Sequence, residues 1–419
     1  MSKKTLIAVI IIVAVLVLVL GIFLLFFTSP VIQTTNTGLS PNSPFGNYGG
    51  SSSTTPITPT PTPDNGQANG PVTPYLNSPT SPLVKISTEP IAGAQVFDRK
   101  ISGTTTASIV RYMERATGHV LEYNRTNNFL TTASNTTIPS IYQAWWSGNT
   151  VLAQFIGASK DTIRTFVGNL PSAPTSTTQL TGTFLNDNVS SLAISPKGNR
   201  MFTLGGGNFA IGNISSLDGT KPTSVLNFPF NEWAVEWPNE TTLTLTTKPS
   251  AGIPGFMYFL TTTGFMTKVT GNIFGLSSRS SPDLGHAVLS ASTNGGIATV
   301  IYDINKNTSL AFTDNPTLAE KCVWSKLSKT TAYCAIPQNI PIGNYPDDWY
   351  QGNVSFVDNI YKIDLTLPAV QLLYKLPSDQ QIDVTNLFLD AKEENLYFTN
   401  KSDYYLWGLT IKNLTPTGQ

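Results

Sequence analysis

The sequence predicts an all-β protein whose main domain is a single seven-bladed β-propeller, preceded by an N-terminal transmembrane helix and a disordered linker. Short segments rich in Val, Ile, Thr, Tyr, Phe and Trp alternate with turns of Gly, Asn, Pro and Asp. One hairpin pattern recurs about every 44 residues, a period typical of propeller blades. The sequence after residue 82 contains no convincing amphipathic helix. Six or eight blades are the alternatives.

Composition excludes several classes of partner. Of the 419 residues, 12% are charged, and 25 Lys and Arg balance 25 Asp and Glu. We therefore expect no general attraction to nucleic acid. The two Cys lie far from His119 and His286, which disfavours a structural zinc site. The sequence predicts no metal site and no cofactor.

The first predicted element is a transmembrane helix over residues 6–27, which are uncharged and almost entirely apolar. At 1.5 Å per residue this run spans about 33 Å, enough for a bilayer core of about 30 Å. A cleavable signal peptide is the alternative, but its apolar region is usually only about 7–15 residues long. Lys3 and Lys4 precede the run and the next basic residue is Lys85, which predicts a cytoplasmic N-terminus at residues 1–5. We expect a single-pass protein of the cell membrane, in contact with the lipid bilayer through this helix and with its main domain outside.

Residues 28–82 predict a disordered linker. They are mainly Pro, Ser, Thr, Gly and Asn, and Asp64 is their one charged residue. So few apolar side chains cannot offset the entropy lost on ordering. Thr58–Pro63 (TPTPTP) predicts local polyproline II structure. The segment is expected to space the propeller, over residues 83–414, from the membrane, and residues 415–419 form a C-terminal tail.

The hairpin Ser191–Leu204 is the best-preserved unit of the predicted repeat. It comprises a strand, the turn Pro196–Asn199 and a second strand. Related hairpins have their corner residues 48, 42, 44 and 44 positions apart, and the next step, to Asp390, is 65. The long step predicts an insertion of about twenty residues on the period of about 44. The other corner residues are Ser147, Ser195, Trp237, Ser281 and Ser325.

A seventh unit precedes these six, with strands at Ala94–Phe97, Ile109–Glu114 and His119–Tyr123. The last unit lacks a fourth strand after Tyr404–Ile411. A strand at Leu83–Ser87 is predicted to complete it, which would close the ring and remove the exposed edges of a linear array.

Two turns carry a resemblance to a known family. Residues 195–200 (SPKGNR) and 281–286 (SPDLGH) resemble repeats of TolB-type, WD-repeat-like β-propellers, whose signature is apolar-x-Ser-Pro-Asp-Gly-basic-apolar. Lys197 stands in place of the Asp, and Leu284 is inserted before Gly285. The resemblance covers roughly residues 83–414 as architecture, and it implies a binding platform without specifying an activity.

The insertion Pro337–Asp358 is the main candidate ligand-binding segment, through Asp347, Asp348, Trp349 and Tyr350. It joins the second and third strands of its blade, so it lies on the face that carries the blade-to-blade loops. Adjacent carboxylates beside aromatic rings can hold a sugar, a cation or a peptide amine. In the alternative interpretation, Trp349 and Tyr350 pack inward and the two Asp are solvated turn residues.

Cys322 and Cys334 flank the turn Lys326–Thr330 on neighbouring strands. Outside the membrane they are predicted to form a cross-strand disulfide. Two buried free thiols are the alternative.

The favoured function is a binding platform for an extracytoplasmic protein, peptide or glycan. The alternatives are a structural component of a TolB-like envelope assembly and an extracytoplasmic glycan-active enzyme. No nucleophile elbow, phosphate loop, zinc-binding helix or Ser/His pairing is present in the sequence. We therefore predict that the protein is not an enzyme, and we assign no catalytic residue.

Overall fold

The computed structural model describes residues 81–103, 105–157, 162–207, 209–311, 315–367 and 370–416. The predicted transmembrane helix over residues 6–27 and the linker up to residue 80 lie outside this part of the chain. Within it, no helix has the length and apolar character needed to cross a bilayer.

The described strands form seven four-stranded antiparallel sheets, which are the blades of a β-propeller. The predicted seven-bladed, all-β fold is therefore confirmed. Strand β1 is Leu83–Lys85; blade 1 contains β2 (Ile91–Ser102), β3 (Thr105–Glu114), β4 (Val120–Asn124) and β5 (Phe129–Ser134). Blade 2 contains β6 (Ile141–Ser147), β7 (Thr150–Ile156), β8 (Ile163–Asn169) and β9 (Thr181–Phe184); blade 3 contains β10 (Ser191–Ile194), β11 (Arg200–Gly205), β12 (Ala210–Ser216) and β13 (Thr223–Phe228).

The remaining blades follow the same order. Blade 4 contains β14 (Trp233–Asn239), β15 (Thr242–Thr247), β16 (Pro254–Thr261) and β17 (Met266–Phe274); blade 5 contains β18 (Ser277–Ser280), β19 (His286–Ser292), β20 (Ile297–Asp303) and β21 (Thr308–Ala311). Blade 6 contains β22 (Cys322–Trp324), β23 (Thr331–Pro337), β24 (Asp358–Asp364) and β25 (Val370–Tyr374). Blade 7 contains β26 (Val384–Leu389), β27 (Asn395–Asn400), β28 (Leu406–Thr410) and, as its fourth strand, β1. In the described ranges, the helical elements are the α-helix α1 (Asp347–Tyr350) and 3₁₀ turns at Ala319–Lys321 and Ser378–Gln380.

The ring is closed by β1, which pairs antiparallel with β28, as the sequence predicts. Leu83 lies opposite Leu409, and the Ile86 amide donates to the Leu406 carbonyl at 2.8 Å. Both Leu83 and Ile86 are buried, so the closure has an apolar core as well as a hydrogen-bond ladder.

Corner serines stabilise two of the repeated hairpins in the same way. The Ser195 hydroxyl accepts the Arg200 amide at 3.1 Å, and the Ser281 hydroxyl accepts the His286 amide at 3.0 Å. Each hydroxyl thus bridges the turn and satisfies the first amide of the returning strand. Gly198 in the first turn has φ +71°, a conformation that glycine adopts at little cost.

Blade 1 is longer than the sequence predicts. β2 and β3 extend several residues beyond the predicted segments and form a protruding hairpin. Polar pairing supports the extension, since the Arg99 guanidinium contacts the Glu122 carboxylate of β4 at 2.5 Å. Such cross-strand pairs interrupt the apolar alternation by which strands are identified in a sequence.

The core lies between neighbouring blades. Between blades 3 and 4, Phe202 and Leu204 of β11 belong to one buried cluster with Leu243 and Leu245 of β15. These four side chains are fully buried. The two blades therefore pack face to face through their side chains, as stacked β-sheets do.

Antiparallel order gives the propeller two different faces. The hairpin face carries the connections between first and second strands and between third and fourth strands of each blade. The crossover face carries the connections between second and third strands and the links between blades. The chain enters the domain on the hairpin face, where the Pro82 carbonyl accepts the Thr410 amide at 2.9 Å.

Candidate functional site

The insertion between β23 and β24 lies on the crossover face and has a small core of its own. Tyr345, Trp349 and Phe356 are buried there together with Leu318. The rings of Trp349 and Phe356 are nearly parallel, with centroids 6.4 Å apart. The structure thus places Trp349 inside the insertion, as in the inward-packing interpretation, and leaves Tyr350 41% exposed.

Trp349 is held by a hydrogen bond to a buried carboxylate in the link between two blades. Its Nε1 lies 2.9 Å from Oδ2 and 3.1 Å from Oδ1 of Asp383, in the link between blades 6 and 7. Asp383 Oδ2 also accepts the Phe356 amide at 3.0 Å and the Ser355 hydroxyl at 3.0 Å. One carboxylate therefore holds both the helix α1 and the segment that follows it in the insertion.

A buried lysine balances this carboxylate. Lys321 Nζ lies 2.6 Å from Asp383 Oδ1 and 2.8 Å from Asp358 Oδ2, and all three side chains are fully buried. Burial raises the pKa of the Asp358 carboxyl to about 6, although the Lys321 ammonium opposes the shift. Since one lysine faces two carboxylates, protonation of Asp358 brings the group to electrical neutrality.

Asp347 and Asp348 lie at the N-terminal end of α1 and are half-buried. Asp347 Oδ2 accepts the Ala251 amide at 2.5 Å, and Asp348 Oδ2 accepts the Asn344 amide at 2.7 Å. Among the described residues, neither carboxylate forms an ion pair with Lys, Arg or His. The backbone therefore fixes both carboxylates while their charge stays unmatched by a nearby cation.

These two carboxylates line an open cleft of about 560 Å³, which we call the acidic cleft. Connections between second and third strands of blades 4, 5 and 6 form its walls. The residues lining it are Ala251, Gly252, Ser292, Thr293, Asn294, Gly295, Asn344, Asp347, Asp348 and Gln351. It brings together Asp347 and Asp348, but not Trp349 or Tyr350.

An apolar cavity of about 470 Å³, the aromatic pocket, lies on the other side of the loop Lys248–Ile253. Trp233 is buried and lies edge-to-face with Phe230 and Tyr258, at centroid distances of 5.2 Å and 5.8 Å. Phe230 is 40% exposed and Ile253 is 63% exposed. The other apolar lining residues are Phe228, Pro249, Pro254 and Phe256. Sequence reasoning missed this pocket, for which the aromatic run Phe228–Trp233 in a blade link was the available signal.

Ionisable side chains from four elements also interact: the inner strands β14 and β18, the 3₁₀ turn Ala319–Lys321 and the helix α1. Arg279 lies 2.8 Å from Glu236, and the Tyr350 hydroxyl is hydrogen-bonded to the Glu320 carboxylate. Burial raises the pKa of both Glu236 and Glu320, and it raises the pKa of Tyr350 well above its usual range. A buried carboxyl of raised pKa can serve as a general acid when a substrate reaches it.

A third cavity, of about 680 Å³, lies at the hairpin face and is lined by inner strands of several blades. Trp146, Trp237 and Trp324 line it. The guanidinium of Arg200 lies over the Trp237 ring at 5.2 Å, and the His286 ring stacks on Trp324 at 6.2 Å. Tryptophans at the blade corners therefore pack against basic or imidazole side chains of the preceding blade.

Cys322 and Cys334 lie directly opposite each other on β22 and β23 and form a disulfide. Both are buried on the side of blade 6 that faces blade 5, in a cluster with Val288 and Ile301. The bond lies in the scaffold beneath the insertion.

Comparisons with solved structures find β-propeller proteins among the neighbours of this chain. No family model matches the chain, and no curated protein matches it. The β-propeller domain of the Trilobed protease from Pyrococcus furiosus, described as having an open velcro topology, is 12% identical, with a TM-score of 0.47 over 77% of this chain and 97% of that one. TolB from Acinetobacter baumannii is 11% identical, with a TM-score of 0.39 over 78% of this chain and 80% of its own.

An oligogalacturonate lyase from Vibrio parahaemolyticus is 7% identical, with a TM-score of 0.47 over 78% of this chain and 99% of the lyase. The neighbours share the fold alone. They include enzymes as well as TolB, so structural likeness does not decide between a catalytic and a non-catalytic role.

Proposed function

We propose that the protein is a membrane-anchored, externally displayed β-propeller that binds a protein, peptide or glycan on its crossover face. The observation that carries the proposal is the adjacency of the aromatic pocket and the acidic cleft, separated by the loop Lys248–Ile253. Together they offer apolar surface and unmatched negative charge in neighbouring concave sites, as binding sites commonly do.

Exposed apolar side chains on the same face support a binding role. Ile253 is 63% exposed and Ile342 is 93% exposed, although each is large and aliphatic. Several large apolar side chains exposed on one face of a protein are typical of an interaction surface. The large apolar residues exposed on the crossover face of blades 3 to 6 include Phe209, Phe230, Ile253, Phe274 and Ile342.

The position of the chain entry also supports display of this face. The described chain begins on the hairpin face, at Ser81 and Pro82, opposite to both cavities. If the propeller is anchored through the apolar segment at residues 6–27, the linker joins it at the hairpin face. The crossover face, which carries both cavities, is then left free.

A glycan-active enzyme is the second candidate, favoured by the raised pKa of Glu236 and Glu320. An envelope assembly of the TolB kind is the third, in which the crossover face contacts another envelope protein. The enzyme predicts glycan cleavage instead of reversible capture, and the assembly predicts an envelope protein that co-purifies with the chain after cross-linking.

The test uses the full chain in membrane vesicles, presented to a glycan array and to cell-surface protein extracts. We expect reversible capture that falls at least tenfold in the Phe230→Ala/Ile253→Ser variant. Leu327→Ser, at a 69% exposed residue on the hairpin face, is the matched control and should capture normally. Equal loss in both variants, glycan cleavage, or a chain that does not fractionate with membranes would contradict the proposal.

A further inference from the structure

We propose that the occupant of the crossover face is an extended segment of a partner protein. It places an apolar side chain in the aromatic pocket and, two or three residues away, a lysine or arginine in the acidic cleft. This inference rests on the proposed function and specifies the ligand of the same site.

The chemistry of the aromatic pocket favours an apolar side chain over a sugar. Its lining is mainly apolar, and the buried indole donor is already used, since Trp233 Nε1 donates to the Phe230 carbonyl at 2.7 Å. The charged lining residues Glu232 and Lys248 are paired with each other at 2.6 Å. A sugar buried here would leave hydroxyl groups without partners, which costs free energy, whereas an aliphatic or aromatic side chain gains it.

The acidic cleft favours a cation. Asp347 and Asp348 are adjacent carboxylates, and each has one oxygen fixed by a backbone amide. Because their positions are set before binding, an ammonium or guanidinium group that enters the cleft orders little of the protein. Hydrogen-bonding side chains of Ser292, Asn344 and Gln351 line the same space.

The spacing of the two sites suits an extended peptide. Ala251 lines the cleft and Ile253 lines the pocket, so the sites lie on the two sides of one short loop. The loop is held by the Ser250 carbonyl, which accepts the amides of Ile253 and Gly275. An extended chain advances about 3.3 Å per residue, so its residues i and i+2 or i+3 are roughly 7–10 Å apart. Side chains at that spacing suit two sites that lie on the two sides of a loop only a few residues long.

The experiment pans a phage library of random seven-residue peptides against the full chain held in lipid nanodiscs. We expect enrichment of an apolar residue with Lys or Arg two or three positions before or after it, in one consistent order. In the Asp347→Asn/Asp348→Asn variant, the basic preference should disappear and the apolar preference should remain. Because Asn keeps a side-chain oxygen that can accept the same backbone amides, the variant is expected to fold. Its melting temperature checks this.

Asp379→Asn is the matched control, because Asp379 is an exposed acid in a blade link on the same face but outside both cavities. Its peptide preference should equal that of the wild type. For the best peptide, replacing the basic residue by Gln should weaken binding at least tenfold on the wild type and less than twofold on the double variant, by fluorescence anisotropy.

The outcomes separate this inference from the proposed function. Apolar enrichment without a basic preference, or glycan capture without peptide enrichment, overturns the inference and leaves the binding platform in place. No enrichment and no glycan or protein capture overturns both.

Discussion

The indole Nε1 of Trp349 donates to the carboxylate of Asp383, 34 residues further along the chain and in the link to the next blade. The insertion of blade 6 is thereby attached to blade 7. The acidic cleft depends on this attachment, since Asp347 and Asp348 belong to the same short helix as Trp349.

Trp349→Phe should lower the free energy of unfolding by about 1–3 kcal/mol, because a buried carboxylate loses a donor. Urea denaturation measures the change. Ile342→Ser, at a 93% exposed residue of the same insertion, should stay within about 0.5 kcal/mol of wild type. Equal stability of Trp349→Phe and wild type would show that the hydrogen bond does not hold the insertion.

Asp358 should make stability depend on pH. Its pKa is about 6 in the folded protein and about 4 in an unfolded chain. The folded state therefore holds more protons in this window, so the contribution of Asp358 to the unfolding free energy falls as pH rises from about 4 to 6. Asp358→Asn removes this contribution, while Lys321 keeps its contact with Asp383.

The measurement is the unfolding free energy of wild type and Asp358→Asn in urea at several pH values between 4 and 7. The stability of wild type relative to the variant should decrease by about 1–3 kcal/mol across the window. A difference that stays constant with pH would contradict a raised pKa of Asp358.

The disulfide should stabilise blade 6 chiefly by restricting the unfolded chain. Cys322 and Cys334 are 12 residues apart, and a loop of this size corresponds to about 3 kcal/mol. The unfolding free energy of the Cys322→Ser/Cys334→Ser variant, measured in urea, should be lower than that of wild type by about 3 kcal/mol. Reductant should lower the unfolding free energy of wild type to that of the variant and leave the variant's value unchanged. A variant as stable as oxidised wild type would contradict the prediction.

The fold could be predicted because its repeat has a local cause. Ser195 and Ser281 bridge their turns to the amides of residues five positions later, so the pattern is visible in a short stretch of sequence. The partner of Trp349 could not be predicted, because Asp383 meets it only after two blades have formed. Likewise, Phe230 and Ile253 are large apolar residues of the kind expected in a core, and only the fold reveals that they are exposed.

Ring closure should contribute strongly to stability through Ile86. This side chain is fully buried among Tyr112, Tyr397 and Leu406, between the closing strand region and blades 1 and 7. Ile86→Ala should therefore cost about 2–5 kcal/mol, through lost transfer free energy and a cavity. The exposed neighbour Thr88 provides the control, and Thr88→Ala should change stability by less than about 0.5 kcal/mol.

Hydrogen exchange then tests whether closure belongs to the cooperative unit of the domain. The Ile86 amide donates to the Leu406 carbonyl at 2.8 Å, so it exchanges only when β1 leaves β28. If the ring opens only on global unfolding, this amide has the same opening free energy as amides in the central strands. Exchange of Ile86 at an opening free energy several kcal/mol lower would show that β1 detaches on its own, and that the remaining strands, including β26–β28 of blade 7, hold the propeller without it.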